Sequence, residues 1–293
     1  MYKLGNLTIV LSSYRCDKAC PFCIAKNNRK FNDSKTEHFD ELSRILDEMR
    51  NNGIRFERIV LSGNGEPSLY EMETLQELAG AIKAHEDLFD TLRVHTSGNI
   101  FWEKDKFDLF NQLVDDVEFD MLRVAVDSKK DMEVLGYSRD YTQSSEFRRA
   151  KKIKLDIGLT GNLDRSSCAQ DLEGLLHDHP NIDLIRFKNL MSGENEQSAQ
   201  AAWVRENRMS KAEFMDFANG MLEYYSTRTL QGLKSTNGKR IVLENSGNYP
   251  RDVVFSNGIV MDYSERPVDI PTLQAMALKF DNTRALRYDG IEI

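Results

Sequence analysis

Cys16-Asp17-Lys18-Ala19-Cys20-Pro21-Phe22-Cys23 holds three of the chain's four cysteines within eight residues. Thiolates are soft ligands, suited to zinc, Cu(I) and iron–sulfur clusters. A closed zinc site needs a further ligand or ligand pair. Cys168 is the one remaining cysteine, and the five histidines (His38, His85, His95, His177, His179) show no paired spacing. Three cysteines wrapped around a [4Fe–4S] cubane would instead bind three irons and leave one open. A zinc knuckle completed by Cys168 is the competing reading.

Around this stretch the chain alternates between two periodicities. Short apolar, β-branched runs at 7–11, 58–61, 92–96, 119–126, 153–160 and 182–189 predict strands. Helical spacing at 39–49, 72–85, 104–114, across 128–151 and at 168–176 predicts the intervening helices. Six strand–helix alternations imply parallel pairing through right-handed crossovers. The expected fold is an α/β partial (β/α)6 TIM-like barrel over residues 1–193. The cysteine loop follows the first strand and Ser62-Gly63-Asn64-Gly65-Glu66-Pro67 ends the second, so both fall on the rim that carries chemistry in barrels. Residues 194–293 read as a C-terminal α+β extension capping the barrel. Its signals are a helical stretch at 199–227 broken near 207–210, a strand at 240–243, a hairpin with an Asn-Gly turn at 253–261 and a helix at 271–280.

The chain has 293 residues, 40% of them hydrophobic and 29% charged, the composition of a soluble globular protein. No apolar run reaches the roughly 18 residues of a membrane span. Residues 1–6 lack the apolar core of a signal peptide, so the expected location is the cytoplasm and no membrane partner is expected. A formal charge of −8 argues against broad nucleic-acid binding, which rests on Lys and Arg neutralising phosphates.

Cys16-x-x-x-Cys20-x-Phe22-Cys23 resembles the CxxxCxφC motif of the radical SAM (S-adenosylmethionine) superfamily, φ being the aromatic before the last cysteine. Ser62-Gly63-Asn64-Gly65-Glu66-Pro67 looks like its "GGE" element, in the right order at the next strand end. The resemblance covers about residues 5–192. It implies that Cys16, Cys20 and Cys23 ligate three irons while the amino and carboxylate groups of SAM chelate the fourth. One electron, from a donor such as flavodoxin or ferredoxin, cleaves SAM to a 5′-deoxyadenosyl radical that abstracts hydrogen from substrate. It further implies Phe22 near adenine, Gly63, Asn64 and Gly65 beside the SAM amino group, and Glu66 ordering that loop. Thr96 and Ser97 fall on the polar loop after strand three. Asp127 or Ser128, after strand four, would hold the ribose or methionyl group. Leu159 stands where the family has an adenine contact, although Gly158 and Gly161 are one residue closer than the family's GxIxG pattern. The extension has no second cysteine cluster, which sets the chain apart from SPASM-type relatives with auxiliary clusters.

Arg186 and Lys188 alternate with Leu184 on strand six and are candidates for an anionic substrate group. His95, alternating with Arg93 and Ser97, is a candidate contact for SAM or substrate. Cys168 is a candidate hydrogen-atom donor to a substrate radical. The expected substrate is a small polar or anionic molecule such as a nucleotide, sugar or amino-acid derivative. Modification of a peptide or tRNA, and a zinc-stabilised non-enzymatic binding protein, are the alternatives.

Overall fold

The computed structural model describes residues 1–18, 20–23, 37–125, 128–136, 139–160, 165–190, 197–230, 240–244, 252–256, 258–262, 266–281 and 290–292. The chain forms two compact units, and each is made of discontinuous segments. The first comprises Met1–Asp17, Asn28–Phe119 and Asn248–Arg287; the second comprises Lys18–Asn27, Asp120–Gly247 and Tyr288–Ile293.

In the first unit, β1 (Tyr2–Arg15) pairs in parallel with β2 (Ile54–Gly65), and β2 with β3 (Phe89–His95). The β1–β2 register runs from Tyr2↔Ile54 to Leu11↔Gly63, then shifts so that Arg15 faces Gly65. On the other side of β1 lies β8 (Val253–Ser256), also parallel, followed by the antiparallel β9 (Ile259–Asp262). The helices α1 (Phe39–Asn51), α2 (Met72–Lys83) and α3 (Lys104–Asn111) cross over between the strands, and α9 (Ile270–Asp281) packs on β1. Their periodic residues are the buried ones: Leu42, Leu46 and Met49 on α1, Leu75, Leu78 and Ile82 on α2. Each such side chain contributes roughly 1.5–3 kcal/mol on burial. The apolar seam therefore holds the helices in place, not exposed ion pairs such as Arg44–Glu41. Phe107 of α3 stacks on Phe119, ring centroids 5.3 Å apart, with Phe101 edge-on to Phe119 at 5.5 Å.

The strand β4 (Val117–Arg123) begins in the first unit and ends in the second. There it is followed by β5 (Lys152–Leu159), β6 (Ile182–Asn189), β7 (Arg240–Glu244) and β10 (Gly290–Glu292) in spatial order. β5–β6 and β6–β7 are parallel; β10 closes antiparallel on β7. The helices are α4 (Ser128–Leu135), α5 (Ser145–Arg149), α6 (Arg165–Asp178), α7 (Ala199–Asn207) and α8 (Lys211–Leu230). Phe187 of β6 meets Phe217 of α8 edge-on at 5.3 Å, which marks that side of β6 as the helix-facing one.

The expected alternation is present, with four differences. β1 extends to Arg15, and β2 runs through the glycines, because backbone pairing with β1 continues past Leu11. The helical region 128–151 is two helices, since Asp140 and Ser144 each cap a new turn with their side chains. β4 ends at Arg123, because the Val124 amide donates to the Asp131 carboxyl at 2.7 Å; Ser128 is thus the first residue of α4, not a strand end. Finally, the extension adds strands beside both β6 and β1, so residues after 194 are shared between the two units. The expected hairpin at 253–261 is β8–β9; Gly258 takes the left-handed φ of +78°, and its partner Asn257 lies outside the described residues.

Candidate active site

Cys16 directly follows β1. Pro21 and Phe22 form a turn in which the Cys23 amide donates to the Cys20 carbonyl at 3.3 Å. None of the three is in a disulfide, and all are half-buried. The start of the loop is tied down in the first unit, where the Asn99 side-chain amide donates to both Asp17 carboxylate oxygens at 3.0 Å. In the second unit the Phe22 ring packs on Trp203 of α7, centroids 5.9 Å apart.

The second component is built at the end of β2. Gly65 has φ +147° and presses against the β1 backbone: a Cβ there would lie 2.0 Å from the Arg15 carbonyl oxygen. Only glycine fits. The same carbonyl accepts the Glu66 amide at 2.7 Å. Glu66 itself is fully buried. One of its oxygens accepts from Thr96 Oγ1 at 2.8 Å and the Ser68 amide at 3.3 Å; the other accepts from the Ser97 amide at 2.5 Å and Ser97 Oγ at 2.6 Å. Four donors compensate a carboxylate removed from water. Glu66 therefore locks the loop after β3 onto the glycine segment, and the Thr96 and Ser97 hydroxyls are committed to it. Gly63 pairs with Leu11 near the end of β2.

The third component is a charged face across β4, β5 and β6. The β5–β6 register sets Asp156 opposite Arg186 and Gly158 opposite Lys188. Arg186 clasps Asp156 with two hydrogen bonds, at 2.9 and 2.5 Å, and Lys188 Nζ reaches it at 3.0 Å. Lys154 bridges Asp156 at 3.0 Å and Asp120 at 2.5 Å. Side-chain exposure rises along the series, from 1% at Lys154 through 15% at Arg186 to 29% at Lys188. Burial and the neighbouring Asp120 push the Asp156 carboxyl up, but Lys154, Lys188 and Arg186 outweigh them and hold it well below the ordinary range.

The remaining predicted residues are dispersed. His95 ends β3, half-buried, two residues from Arg93, which pairs with Glu118 at 2.5 Å. Leu159 is fully buried on the same side of β5 as Ile153, Leu155 and Ile157, opposite Asp156. Cys168 is not disulfide-bonded and is buried on α6, a helix that packs against α8, the setting of a small apolar side chain. Asp127 lies outside the described residues. Among the described residues no three His, Cys, Asp or Glu side chains converge as a ready-made metal site. Sequence reading missed Asp120, Lys154 and Asp156, although the alternation Lys152-Ile153-Lys154-Leu155-Asp156 was a legible signal of a charged strand face. It also missed Trp203, for which no local pattern exists.

Residues 6–148 match the family of the 4Fe-4S single cluster domain. No curated protein matches the sequence. Among solved structures, the chain is similar to Streptococcus suis SuiB bound to the precursor peptide SuiA, with a TM-score of 0.62 at 14% identity over 98% of this chain and 68% of that one. SuiB bound to S-adenosylmethionine gives 0.61 at 14% over 94% and 68%. Polyhistidine-tagged anSMEcpe with bound AdoMet gives 0.60 at 14% over 94% and 76%. At this identity the likeness speaks for the fold, an α/β partial barrel. The family match and the Cys16/Cys20/Cys23 spacing both point to a 4Fe-4S cluster domain. The Cys16/Cys20/Cys23 spacing and the glycine segment after β2 are the elements on which the resemblance to the radical SAM superfamily rests, a resemblance that implies a [4Fe–4S] cluster and S-adenosylmethionine as cofactors. The residues present fit this pair: three soft donors outside any disulfide, within eight residues, and a glycine whose Cβ would be blocked at the adjoining strand end. No helix among the described residues is long and apolar enough to cross a membrane.

Proposed function

We propose that this enzyme abstracts hydrogen from a small polar or anionic molecule, a nucleotide, sugar or amino-acid derivative, held by Arg186 and Lys188. The observation that carries the reading is the exposure gradient of the cations bound to Asp156: Arg186 is 15% exposed and Lys188 29%, so Lys188 Nζ faces outward from a buried carboxylate and can reach a further anion. Lys188 is the most open of the cations, and an ammonium has three donors to distribute. Arg186, held in two-point contact by Asp156, is preorganised beside it.

Cys16, Cys20 and Cys23 are assigned as the iron ligands, leaving one iron for the amino and carboxylate groups of SAM. Bound together, cluster and SAM supply a primary carbon radical by one-electron reduction of the sulfonium. The chain's own residues orient and shield. Gly63, Asn64 and Gly65 bring bare backbone to the ligand. Glu66 keeps that segment in register with Thr96 and Ser97. Phe22 offers a ring beside the cysteines; His95, at the end of β3, and Ser128, at the start of α4, are further candidate contacts. Orientation of this kind is worth several kcal/mol of barrier, about 7–11 in the best intramolecular cases.

Anaerobic reconstitution followed by reduction with SAM tests the reading. We expect about four irons with matching sulfide, and 5′-deoxyadenosine that acquires deuterium from deuterated anionic candidates. A Cys16→Ala/Cys20→Ala/Cys23→Ala protein that still released it would refute the ligand assignment. Lys188→Met should raise KM for an anionic substrate roughly ten- to a hundredfold; equal turnover of a neutral analogue lacking the anion would refute the anionic reading. A peptide is the second reading, favoured by the likeness to SuiB bound to SuiA. Deuterium transfer from a labelled peptide, with none from small anions, would select it.

A further inference from the structure

We propose that Trp203 is a positioning residue for the cysteine loop, acting through Phe22, and that α7 is the clamp that carries it. This rests on Cys20 and Cys23 being cluster ligands. Phe22 lies between those two cysteines, in the turn closed by the Cys23-to-Cys20 hydrogen bond. Its ring meets the half-buried indole of Trp203 at 5.9 Å and an interplanar angle of 49°. Such offset aromatic pairs fix ring orientation as well as burying area.

The indole can act as an anchor because α7 is itself pinned. Ser198 caps its first turn, Oγ accepting the Ala201 amide at 3.1 Å. Ala201 and Val204 are buried beneath it. At its other end, Arg208 forms an antiparallel bridge with Thr160, one residue past β5. The Asn189 side chain at the end of β6 donates to the Met209 carbonyl at 3.1 Å. Asn207 Nδ2 folds back onto the Trp203 carbonyl at 2.8 Å, closing the last turn. The helix thus spans from the rim of β5 and β6 to the ring between two ligands, all within the second unit. The segment expected to cap the barrel contributes a contact to the motif at the other end of the sequence.

Two measurements test this. In the cluster-free protein, timed alkylation mapped by mass spectrometry should show Cys20 and Cys23 reacting roughly two- to tenfold faster in Trp203→Ala, while Cys168 keeps its wild-type rate; Trp203→Phe should restore protection. After reconstitution, chelator challenge followed near 400 nm should show a comparable shortening of cluster lifetime. Phe22→Leu reaches the same contact from the loop side, should Trp203→Ala unfold. In the double variant the two effects should be non-additive. Unchanged Cys20 and Cys23 rates in both single variants, or additive effects, would overturn the proposal. Absence of iron and sulfide in the wild type would instead overturn the ligand reading, and the alkylation arm would still report on Trp203.

Discussion

At position 65 the geometry leaves no choice of residue. A methyl group would lie 2.0 Å from the Arg15 carbonyl oxygen and 2.5 Å from its carbon, at a φ that side chains rarely adopt. Gly65→Ala must therefore separate β1 from β2 beside the cysteine loop. We expect a loss of at least roughly 2 kcal/mol in urea unfolding, with weakened SAM binding by calorimetry. Gly80 provides the control: it is exposed on α2, nothing lies within 4 Å of its Cβ position, and Gly80→Ala should stabilise by about 0.5–1 kcal/mol. Asp156 is the other residue where one change has a large effect. Asp156→Asn removes the charge that Lys154, Arg186 and Lys188 share. The cost should be about 3–5 kcal/mol, read from the same unfolding curves. Its pH signature is that of a depressed carboxyl: the contribution is present above the unfolded value near 4 and is lost as the pH falls below it.

At the scale of elements, β8 pairs with β1 from Leu7↔Val253 to Ile9↔Phe255 among the described residues. Asp252 reinforces the junction, accepting from the Asn6 amide and the Asn6 side chain, both at 2.8 Å. Burial pushes its carboxyl up to about 6, against those two hydrogen bonds and Arg58, which pull the other way. For an acid raised in the folded state the sign is opposite to that of Asp156. Folded protein holds the proton up to about pH 6 and unfolded chain releases it near 4, so this group's stabilisation is full below 4 and lost as the pH rises through 6. The change is on the order of 3 kcal/mol at most. Wild-type urea midpoints should carry this acid-side gain, and Asp252→Asn should flatten it; an unaltered profile in the variant would count against the assignment. The elements themselves were legible because period-2 and period-3.6 patterns persist wherever one face meets the helix layer. The break between α7 and α8 was readable from Asn207 to Ser210. The Glu66 node was half readable: the motif marked the residue, but its partners Thr96 and Ser97 lie thirty and thirty-one positions away and became visible only in the fold.

For the whole molecule, local pattern could place residues 194–293 after the sixth strand but not say what they pair with, because strand pairing is decided by partners far apart in the chain. Read as a cap, the extension would be removable. Its strands argue otherwise: β7 lies beside β6 through five paired positions, from Leu184↔Arg240 to Lys188↔Glu244, and β8 lies beside β1 in the other unit. Removing everything after residue 193 would expose the backbone donors and acceptors of β1 and β6 as open edges, each a template for intermolecular pairing. It would also uncover Phe187, which packs on Phe217 of α8. A chain ending at 193 should therefore be recovered as aggregate or as a species lacking cooperative unfolding, by size exclusion and circular dichroism. A monomeric fragment with a sharp transition would mean that the first six strands are self-sufficient and that the extension serves the site alone. The interlocking of early and late segments predicts the former, because both units draw strands from the last hundred residues.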